Sequence, residues 1–247
     1  MEQTDAISNA GMQQRMYDAE FTSQRHPPHE LDPSRIALTR TILAELPPGK
    51  LLDVGCSDGA IIAPLRHRHE LYGVDVSSES VKQAIVKGVR AKVADSETAL
   101  PFDDAQFDIA LAAETIEHIV RTDFFLHQIN RVLRIGGYIV ISTPNVGCLL
   151  TMPAMALFDM PPYMGARYRS PHVRDFTVRT LKYALRNHGF EPMRVHGAAL
   201  LLPFAGAVLP SLGYRFPRLS PTMIVLARKT ADSVFEPQKE FEFSLNV

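Results

Sequence analysis

One ten-residue stretch constrains the fold of this chain more than any other: LLDVGCSDGA at positions 51–60. An apolar run typical of a buried strand passes into a turn with Gly55 and Gly59, and glycine permits a sharp turn and close approach of a ligand. A helix predicted from about residue 58 to residue 67 then offers the free N–H groups of its first turn to an anionic group. Asp75 follows Gly55 by twenty residues, where a carboxylate can accept hydrogen bonds from ribose hydroxyls. The combination predicts a cofactor that contains a nucleoside.

Strands and helices alternate along most of the chain. A first helix is predicted to begin at Asp32-Pro33 and to bury Leu38, Ile42 and Leu46. Further helices are predicted at residues 78–87, 121–134 and 178–187, and strands at residues 51–55, 71–75, 90–94, 107–112, 138–142, 194–199 and 223–227. This alternation predicts an α/β fold, a Rossmann-like seven-stranded, mostly parallel sheet with helices on both faces.

The expected domain organisation is one core domain at residues 31–229, with a helical lid at residues 1–30 and a tail at residues 230–247. Two inserts, one near 146–168 that is rich in Met, Leu and Pro and one near 200–221, are expected to form the pocket of an acceptor, which would be apolar or lipid-linked. Ordinary core or a dimer contact explains the inserts equally well, so the oligomeric state stays open. Residues 197–214 carry no charge but contain two prolines and three glycines, which favours at most peripheral membrane contact.

Charge and cysteine content exclude several classes of protein. The net charge of −1, from 26 basic and 27 acidic residues, argues against nucleic acid as an obligate partner. The two cysteines, Cys56 and Cys148, have neither zinc-site nor disulfide-framework spacing. The polar, acidic first residues resemble neither a secretory leader nor a transit peptide, so a cytoplasmic location is expected.

Several motifs in order resemble the class I S-adenosylmethionine-dependent methyltransferases, from residue 51 to about residue 226. They lie at residues 53–59, 73–75, 94–96, 101–102, 107–108, 117–119, 131–137 and 141–145. The resemblance implies S-adenosyl-L-methionine as cofactor, with the Gly55 loop around its methionine part, Asp75 on the ribose, and Asp95 and Ser96 beside the adenine. The full implied cofactor set is Asp53, Gly55, Cys56, Ser57, Gly59, Asp75, Val76, Asp95, Ser96, Ala113 and Tyr17. Ser57 departs from the family, which more often has glycine there.

A cluster of Glu114, Glu117 and His118 follows the fourth predicted strand, where the reactive methyl group is expected because ligands bind at the carboxyl ends of parallel strands. If this segment is helical, the three side chains share one face. Three interpretations stay open: His118 only packs against the cofactor, His118 is a general base, or the cluster and His172 bind a divalent cation such as Mg²⁺ or Mn²⁺. The candidate catalytic residues are therefore His118, Glu114 and His172.

The cation interpretation rests on resemblance to two families, the ubiquinone-pathway O-methyltransferases and the small-RNA 2′-O-methyltransferases. Both pair a Glu-x-x-Glu-His motif with a later histidine. A segment at residues 159–163 is similar to the Asp-Pro-Pro-Tyr motif of amino-group methyltransferases, but it follows the fifth strand instead of the fourth, which favours an oxygen nucleophile.

The expected activity is O-methylation of a small-molecule hydroxyl, in a glycan, quinone or lipid-linked precursor. One alternative is an RNA 2′-O-methyltransferase, which the charge balance and the absence of tryptophan disfavour. The other alternative is a cofactor-binding regulatory protein without turnover, which the cluster around Glu117 disfavours.

Overall fold

The computed structural model describes residues 33–149, 152, 156–157, 172–202 and 207–236, and for residues 200–202 and 207–211 it describes the backbone alone. The strands of its main sheet are β1 (Lys50–Val54), β2 (Glu70–Asp75), β3 (Arg90–Val93), β4 (Phe107–Ala113), β5 (Leu133–Pro144), β6 (Phe190–Gly197) and β9 (Thr222–Lys229). Strands β7 (Leu200–Leu202) and β8 (Ala207–Leu209) form a separate hairpin.

The seven strands of the main sheet lie in the order β3-β2-β1-β4-β5-β9-β6. All neighbouring pairs from β3 to β5 are parallel, and β9 runs antiparallel to both β5 and β6. This confirms the predicted Rossmann-like fold. Because β1, β2 and β4 are parallel neighbours, the residues that follow them meet at one edge of the sheet.

The helices are α1 (Pro33–Glu45), α2 (Ser78–Val86), α3 (Thr122–Val132), α4 (Val178–Asn187) and α5 (Pro210–Arg215). Ser77 caps α2, since its hydroxyl accepts a hydrogen bond from the Ser80 N–H at 3.2 Å. Thr177 caps α4 through a reciprocal pair of hydrogen bonds with Thr180. Local capping residues therefore define where both helices begin.

Two hydrophobic cores cover the two faces of the sheet. Leu126 of α3 and Leu181 of α4 pack with Phe107 on one face, whereas Leu43 of α1 and Ala84 of α2 pack on the other. In α1 the predicted stripe is buried at its later positions, but Leu38 is only half-buried. Helices on both faces hold the sheet rigid beneath the edge where β1, β2 and β4 end.

Three predictions of secondary structure are wrong, and the simplest concerns β6, which begins at Phe190 and not at Arg194. Residues 58–67 form successive turns with one short 3₁₀ segment, Ala63–Leu65, and not an α-helix. Gly59 has a left-handed φ of 72°, and Pro64 has no N–H to donate, so a regular helix cannot run through both positions. Strand β5 begins at Leu133 and not near Tyr138, because a bulge with Gly136 at φ 80° keeps the chain paired with β4.

Several predicted features lie outside the described residues: the lid at residues 1–30 with Tyr17, most of the first insert, the segment 159–163 and the end of the tail. The second insert is described in part as the β7–β8 hairpin and α5. Within the described parts of the chain, no helix has the length and apolar character needed to cross a membrane.

Candidate active site

A cavity of about 300 Å³ opens where β1, β2 and β4 end. Eight of the predicted cofactor residues line it: Gly55, Cys56, Ser57, Asp75, Val76, Asp95, Ser96 and Ala113. The four residues predicted for the chemistry, Glu114, Glu117, His118 and His172, line it as well. Asp53 and Gly59 do not line the cavity, although both belong to the same strand and loop. The structure therefore brings most of the predicted site together in one place.

The loop after β1 is shaped by residues with left-handed backbones. Gly55 has φ 80°, and a Cβ there would lie 2.5 Å from the Thr115 hydroxyl, so only glycine fits. Ser57 has φ 46°, the conformation that explains why the family prefers glycine at this position. The Ser57 N–H donates to Asp75 Oδ2 at 2.8 Å, and the Ser77 N–H donates to Asp75 Oδ1 at 2.9 Å. Asp75 thus joins the loop to the start of α2.

Gly59 and Cys56 pack the loop against its surroundings. A Cβ at Gly59 would lie 2.9 Å from Val89, so the glycine permits close packing and does not face the cavity. A Cβ at Gly73 would lie 2.7 Å from the Cys56 sulfur, which shows how closely the thiol contacts β2. Burial raises the pKa of the Cys56 thiol, so it remains protonated and unreactive.

Asp53 is a buried carboxyl group beneath the cavity. Neither of its oxygens has a hydrogen-bond partner within the described parts of the chain. Burial, and then the nearby Asp75, raise the pKa of Asp53 to about 8, and the positive charge of Arg35 opposes the shift. The carboxyl group is therefore mostly protonated at neutral pH.

The segment after β4 is not α-helical, so the condition for a shared helical face is not met. Glu114 has a left-handed φ of 53°, and only Ile116–His118 forms a short 3₁₀ turn, so Glu114, Glu117 and His118 do not share a helical face. The Glu114 carboxylate accepts a hydrogen bond from Ser142 Oγ at 2.8 Å and lies 3.9 Å from Arg35 Nε. It points toward β5 and α1 and is not part of the convergent group described next.

Three side chains converge on one side of the cavity. Glu117, His118 and His172 each place one potential ligand atom within 4.8 Å of the other two. The N–H groups of Val173 and Arg174 donate to the Glu117 carbonyl at 2.8 and 3.1 Å, which fixes the His172 segment beside the turn. The rings of His118 and His172 meet edge to face, with centroids 4.9 Å apart.

Glu117 is almost completely buried. Its Oε2 accepts a hydrogen bond from Thr143 Oγ1 at 3.0 Å, and its Oε1 has no hydrogen bond among the described residues. Burial, and then the charge of Glu114, raise the pKa of the Glu117 carboxyl. Burial lowers the pKa of His172, which keeps its imidazole neutral. A partly unsatisfied carboxyl group and two imidazoles form a donor set suited to a cation.

Comparison with known proteins assigns the fold and the class of enzyme. Residues 52–141 match the methyltransferase domain family. The ubiquinone biosynthesis O-methyltransferase of Sinorhizobium medicae is 29 % identical over 175 residues, which cover 64 % of this chain and 70 % of that protein. The chain is a class I S-adenosylmethionine-dependent methyltransferase.

Two further comparisons agree with this assignment. The ubiquinone biosynthesis O-methyltransferase of Bordetella avium is 24 % identical over 212 residues, covering 80 % of this methyltransferase and 84 % of the relative. The crystal structure of Burkholderia thailandensis 1,6-didemethyltoxoflavin-N1-methyltransferase, with its substrate and S-adenosylhomocysteine bound, has a TM-score of 0.59 and 20 % identity. The alignment covers 90 % of this methyltransferase and 89 % of the Burkholderia chain, and the two proteins share the same fold.

The sequence prediction missed Arg35, which lines the cavity of the methyltransferase from α1. Its side chain is only 7 % exposed and lies on the buried stripe of the helix with Thr39 and Ile42. A charged residue at a stripe position is the signal that would have identified it, because a buried arginine requires a nearby negative charge. Here Glu114, whose carboxylate lies 3.9 Å from Arg35 Nε, supplies that charge.

Proposed function

We propose that this methyltransferase transfers the methyl group of S-adenosyl-L-methionine to a hydroxyl oxygen of a small molecule, with a divalent cation, Mg²⁺ or Mn²⁺, held by Glu117, His118 and His172. The observation that carries the proposal is the convergence of these three side chains within 4.8 Å on one side of the cavity. The names of the curated relatives, which are O-methyltransferases, support an oxygen acceptor.

The residues present fit a cation. The buried Glu117 Oε1 lies 3.9 Å from His118 Nε2 and has no hydrogen bond among the described residues, and a buried carboxylate oxygen without a hydrogen bond is costly. The lowered pKa of His172 keeps the neutral form that binds metals. Carboxylate oxygen favours Mg²⁺, and the imidazoles shift the preference toward Mn²⁺. Glu114 remains a fourth candidate ligand, whose carboxylate is held by Ser142 in this structure.

The reaction is an in-line displacement. A lone pair of the acceptor oxygen forms a bond to the methyl carbon, the carbon–sulfur bond breaks, and S-adenosylhomocysteine leaves with the bonding electrons. When bound, a divalent cation supplies Lewis acidity that lowers the pKa of an acceptor hydroxyl. The chain itself orients the reactants, with the Gly55 loop and Asp75 on the cofactor and the His172 segment on the acceptor side. If no cation is bound, His118 is the candidate base for the hydroxyl proton.

We further propose an apolar acceptor, such as a quinone precursor or a lipid-linked intermediate, with at most peripheral membrane contact. The chain after β5 and the chain before β9 are joined at the edge of the cavity, since the Asn145 N–H donates to the Pro221 carbonyl at 2.7 Å. Both regions expose large apolar side chains: Leu157 is 76 % exposed, Met152 51 % and Phe216 47 %. Large exposed apolar side chains in these two regions favour an apolar ligand.

The test is a methyl-transfer assay with phenolic and lipid-linked hydroxyl acceptors, read by mass spectrometry. Activity is expected to fall on chelation and to return with Mg²⁺ or Mn²⁺. His172→Ala should lower turnover more than about 10-fold, the lower range for loss of a supporting metal interaction, with cofactor affinity unchanged. The matched control is His67→Ala, since His67 is exposed and distant from the cavity.

Two results would contradict the proposal. Full activity of demonstrably metal-free protein in excess chelator would exclude the cation and leave His118→Ala as the decisive variant for the base mechanism. Methylation of RNA or of an amine, with no hydroxyl acceptor found, would overturn the assignment of the acceptor.

A further inference from the structure

Two neighbouring hydroxyl groups near the end of β5 hold the two glutamates that follow β4. Ser142 Oγ donates to Glu114 Oε1 at 2.8 Å, and Thr143 Oγ1 donates to Glu117 Oε2 at 3.0 Å. Each hydrogen bond joins residues that are far apart in the chain but adjacent in the sheet, since β4 and β5 are paired. The end of β5 therefore controls where each carboxyl group points.

Ser142 and Thr143 lie on opposite faces of the main sheet, because successive side chains of a strand alternate. Val140, two residues before Ser142, packs in the core on the face of α1 and α2. Ile141, two residues before Thr143, packs in the core on the face of α3 and α4. The two glutamates are therefore held on opposite sides of the sheet.

The hydrogen bond between Thr143 and Glu117 lies in the interior of the protein. Thr143 is completely buried, and Glu117 is only 1 % exposed. A hydrogen bond to a carboxyl oxygen is stronger in such surroundings than in water, because the local dielectric constant is low. Thr143 does not line the cavity, so its hydroxyl acts on the site through Glu117.

This hydrogen bond engages one of the two oxygens of the Glu117 carboxyl group. Oε2 accepts from Thr143, whereas Oε1 lies 3.9 Å from His118 Nε2. Because the carboxyl group is planar, a bond that fixes one oxygen also fixes the direction of the other. The Thr143 hydroxyl thus keeps Oε1 on the side of His118, where the three side chains converge.

We propose that Thr143 is a positioning residue of the cation site, which holds Glu117 so that Oε1 is the oxygen that binds the cation. The proposal rests on the function proposed above, since it requires a divalent cation on Glu117, His118 and His172. Hydrogen-bond partners of metal ligands orient those ligands, and their loss typically lowers metal affinity roughly 10- to 100-fold. Thr143 has the position and the donor group for this role.

Titration with Mn²⁺ tests the proposal in the complete chain without turnover, read from the electron paramagnetic resonance signal of the free ion. Thr143→Val keeps the shape of the side chain and removes the hydroxyl, so it should weaken Mn²⁺ binding roughly 10- to 100-fold. Thr143→Ser keeps the hydroxyl and should keep most of the affinity. Affinity for S-adenosylhomocysteine, measured by calorimetry, should be the same in all three proteins, because Thr143 does not line the cavity.

The matched control is Thr39→Val on α1. Thr39 is also completely buried and does not line the cavity, and its hydroxyl has no hydrogen bond among the described residues. The same change of side chain there should leave Mn²⁺ affinity unchanged. If Thr143→Val does not fold, Thr143→Cys replaces it, since a thiol is a weaker donor of similar size and should also weaken Mn²⁺ binding.

Two results would overturn the proposal, and they differ in what they say about the function. Native Mn²⁺ affinity in Thr143→Val, or in Thr143→Cys where that variant replaces it, would refute the positioning role and leave the cation site intact. A lower melting temperature together with that native affinity would show a purely structural role for Thr143. Absence of Mn²⁺ binding by the native chain would refute the cation site itself, and the positioning role with it.

Discussion

Residues in strained conformations mark the candidate site. Among the described residues, three that are not glycine have left-handed φ angles, Ser57, Ala105 and Glu114, and two of the three line the cavity. Each strained cavity residue is held by hydrogen bonds from elsewhere: Asp75 accepts from the Ser57 N–H, and Ser142 holds the Glu114 carboxylate. Strain of this kind persists only where the surroundings impose it, and it concentrates at functional sites.

Asp75→Ala should weaken cofactor binding roughly 10- to 150-fold, the equivalent of losing charge-assisted hydrogen bonds of about 1.5–3 kcal/mol. The substitution removes the expected ribose acceptor and also releases the Ser57 and Ser77 N–H groups. Calorimetric titration with S-adenosylhomocysteine measures the loss. Asp103→Ala, at an exposed carboxylate outside the cavity, is the control. Unchanged affinity in a folded Asp75→Ala protein would refute the ribose assignment.

Asp53→Asn should gain stability over the native protein as the pH rises from about 5 to about 8. The native Asp53 carboxyl has a pKa of about 8, against 3.8 when exposed in the unfolded chain. Below pH 3.8 Asp53 is protonated in both the folded and the unfolded protein, so its ionisation does not change the free energy of unfolding. Between the two values the unfolded state has released its proton and the folded state has not, so rising pH favours unfolding by at most about 1.4 kcal/mol per pH unit.

The measurement for Asp53 is the melting temperature of both proteins at several pH values. The difference, variant minus native, should grow with pH and level off above about 8. A difference that does not depend on pH would show that Asp53 ionises normally in the folded protein.

At the scale of elements, the loop after β1 depends on its packing against α2. Gly59→Ala and Gly88→Ala both place a side chain at left-handed φ, 72° and 88°. A Cβ at Gly59 also meets Val89 at 2.9 Å and Ala84 at 3.1 Å, while a Cβ at Gly88 meets nothing within 4 Å. Both substitutions should lower the free energy of unfolding by about 1–2 kcal/mol because of backbone strain. Gly59→Ala should lower it by about 1–3 kcal/mol more because of overpacking. Urea unfolding measures the free energy of unfolding of both variants. An equal loss in the two variants would contradict the packing argument.

The elements that sequence predicts well are those decided by local pattern. The strands that end at Val54 and Asp75 and helix α4 lie where hydrophobic periodicity and turn residues place them. The sequence leaves open whether the segment of Glu114, Glu117 and His118 is helical, because its shape depends on distant partners. Ser142 fixes Glu114, and the chain at Val173 fixes the turn at Glu117. Contacts between residues so far apart in the chain leave no periodic pattern in the amino-acid sequence.

The same reason applies to Arg35. Its place in the cavity follows from how α1 packs on the sheet, and only the burial of a charge on an apolar stripe indicates it beforehand.

At the scale of the whole molecule, a buried asparagine connects three distant parts of the chain. Asn130 Nδ2 donates to the carbonyls of His188 at 2.8 Å and Ala231 at 3.0 Å, and its Oδ1 accepts from the Ser233 N–H at 3.0 Å. The Lys229 ammonium donates to the Asn130 carbonyl at 2.8 Å. These bonds join α3, the end of α4 and the start of the tail.

Asn130→Ala should lower the free energy of unfolding by about 2–4 kcal/mol, because it leaves buried carbonyl and amide groups without partners. Asn187→Ala, at an exposed position on α4, should change it by less than about 0.5 kcal/mol. Guanidinium unfolding of the two variants makes the comparison. Equal stability of the two variants would show that the side-chain hydrogen bonds of Asn130 do not stabilise the fold.

The lining of the cavity is divided unequally along the chain. Among the residues that the structure describes, those from Arg35 to Ile119 supply nearly the whole wall, and His172 and Thr222 alone come from the chain beyond β5. The cofactor residues therefore all precede β5, and under the function proposed above the His172 segment beyond β5 faces the acceptor. A library of variants that changes only positions after β5 would therefore test new acceptors and leave the cofactor residues unchanged. Acceptor specificity could then be altered without loss of cofactor binding.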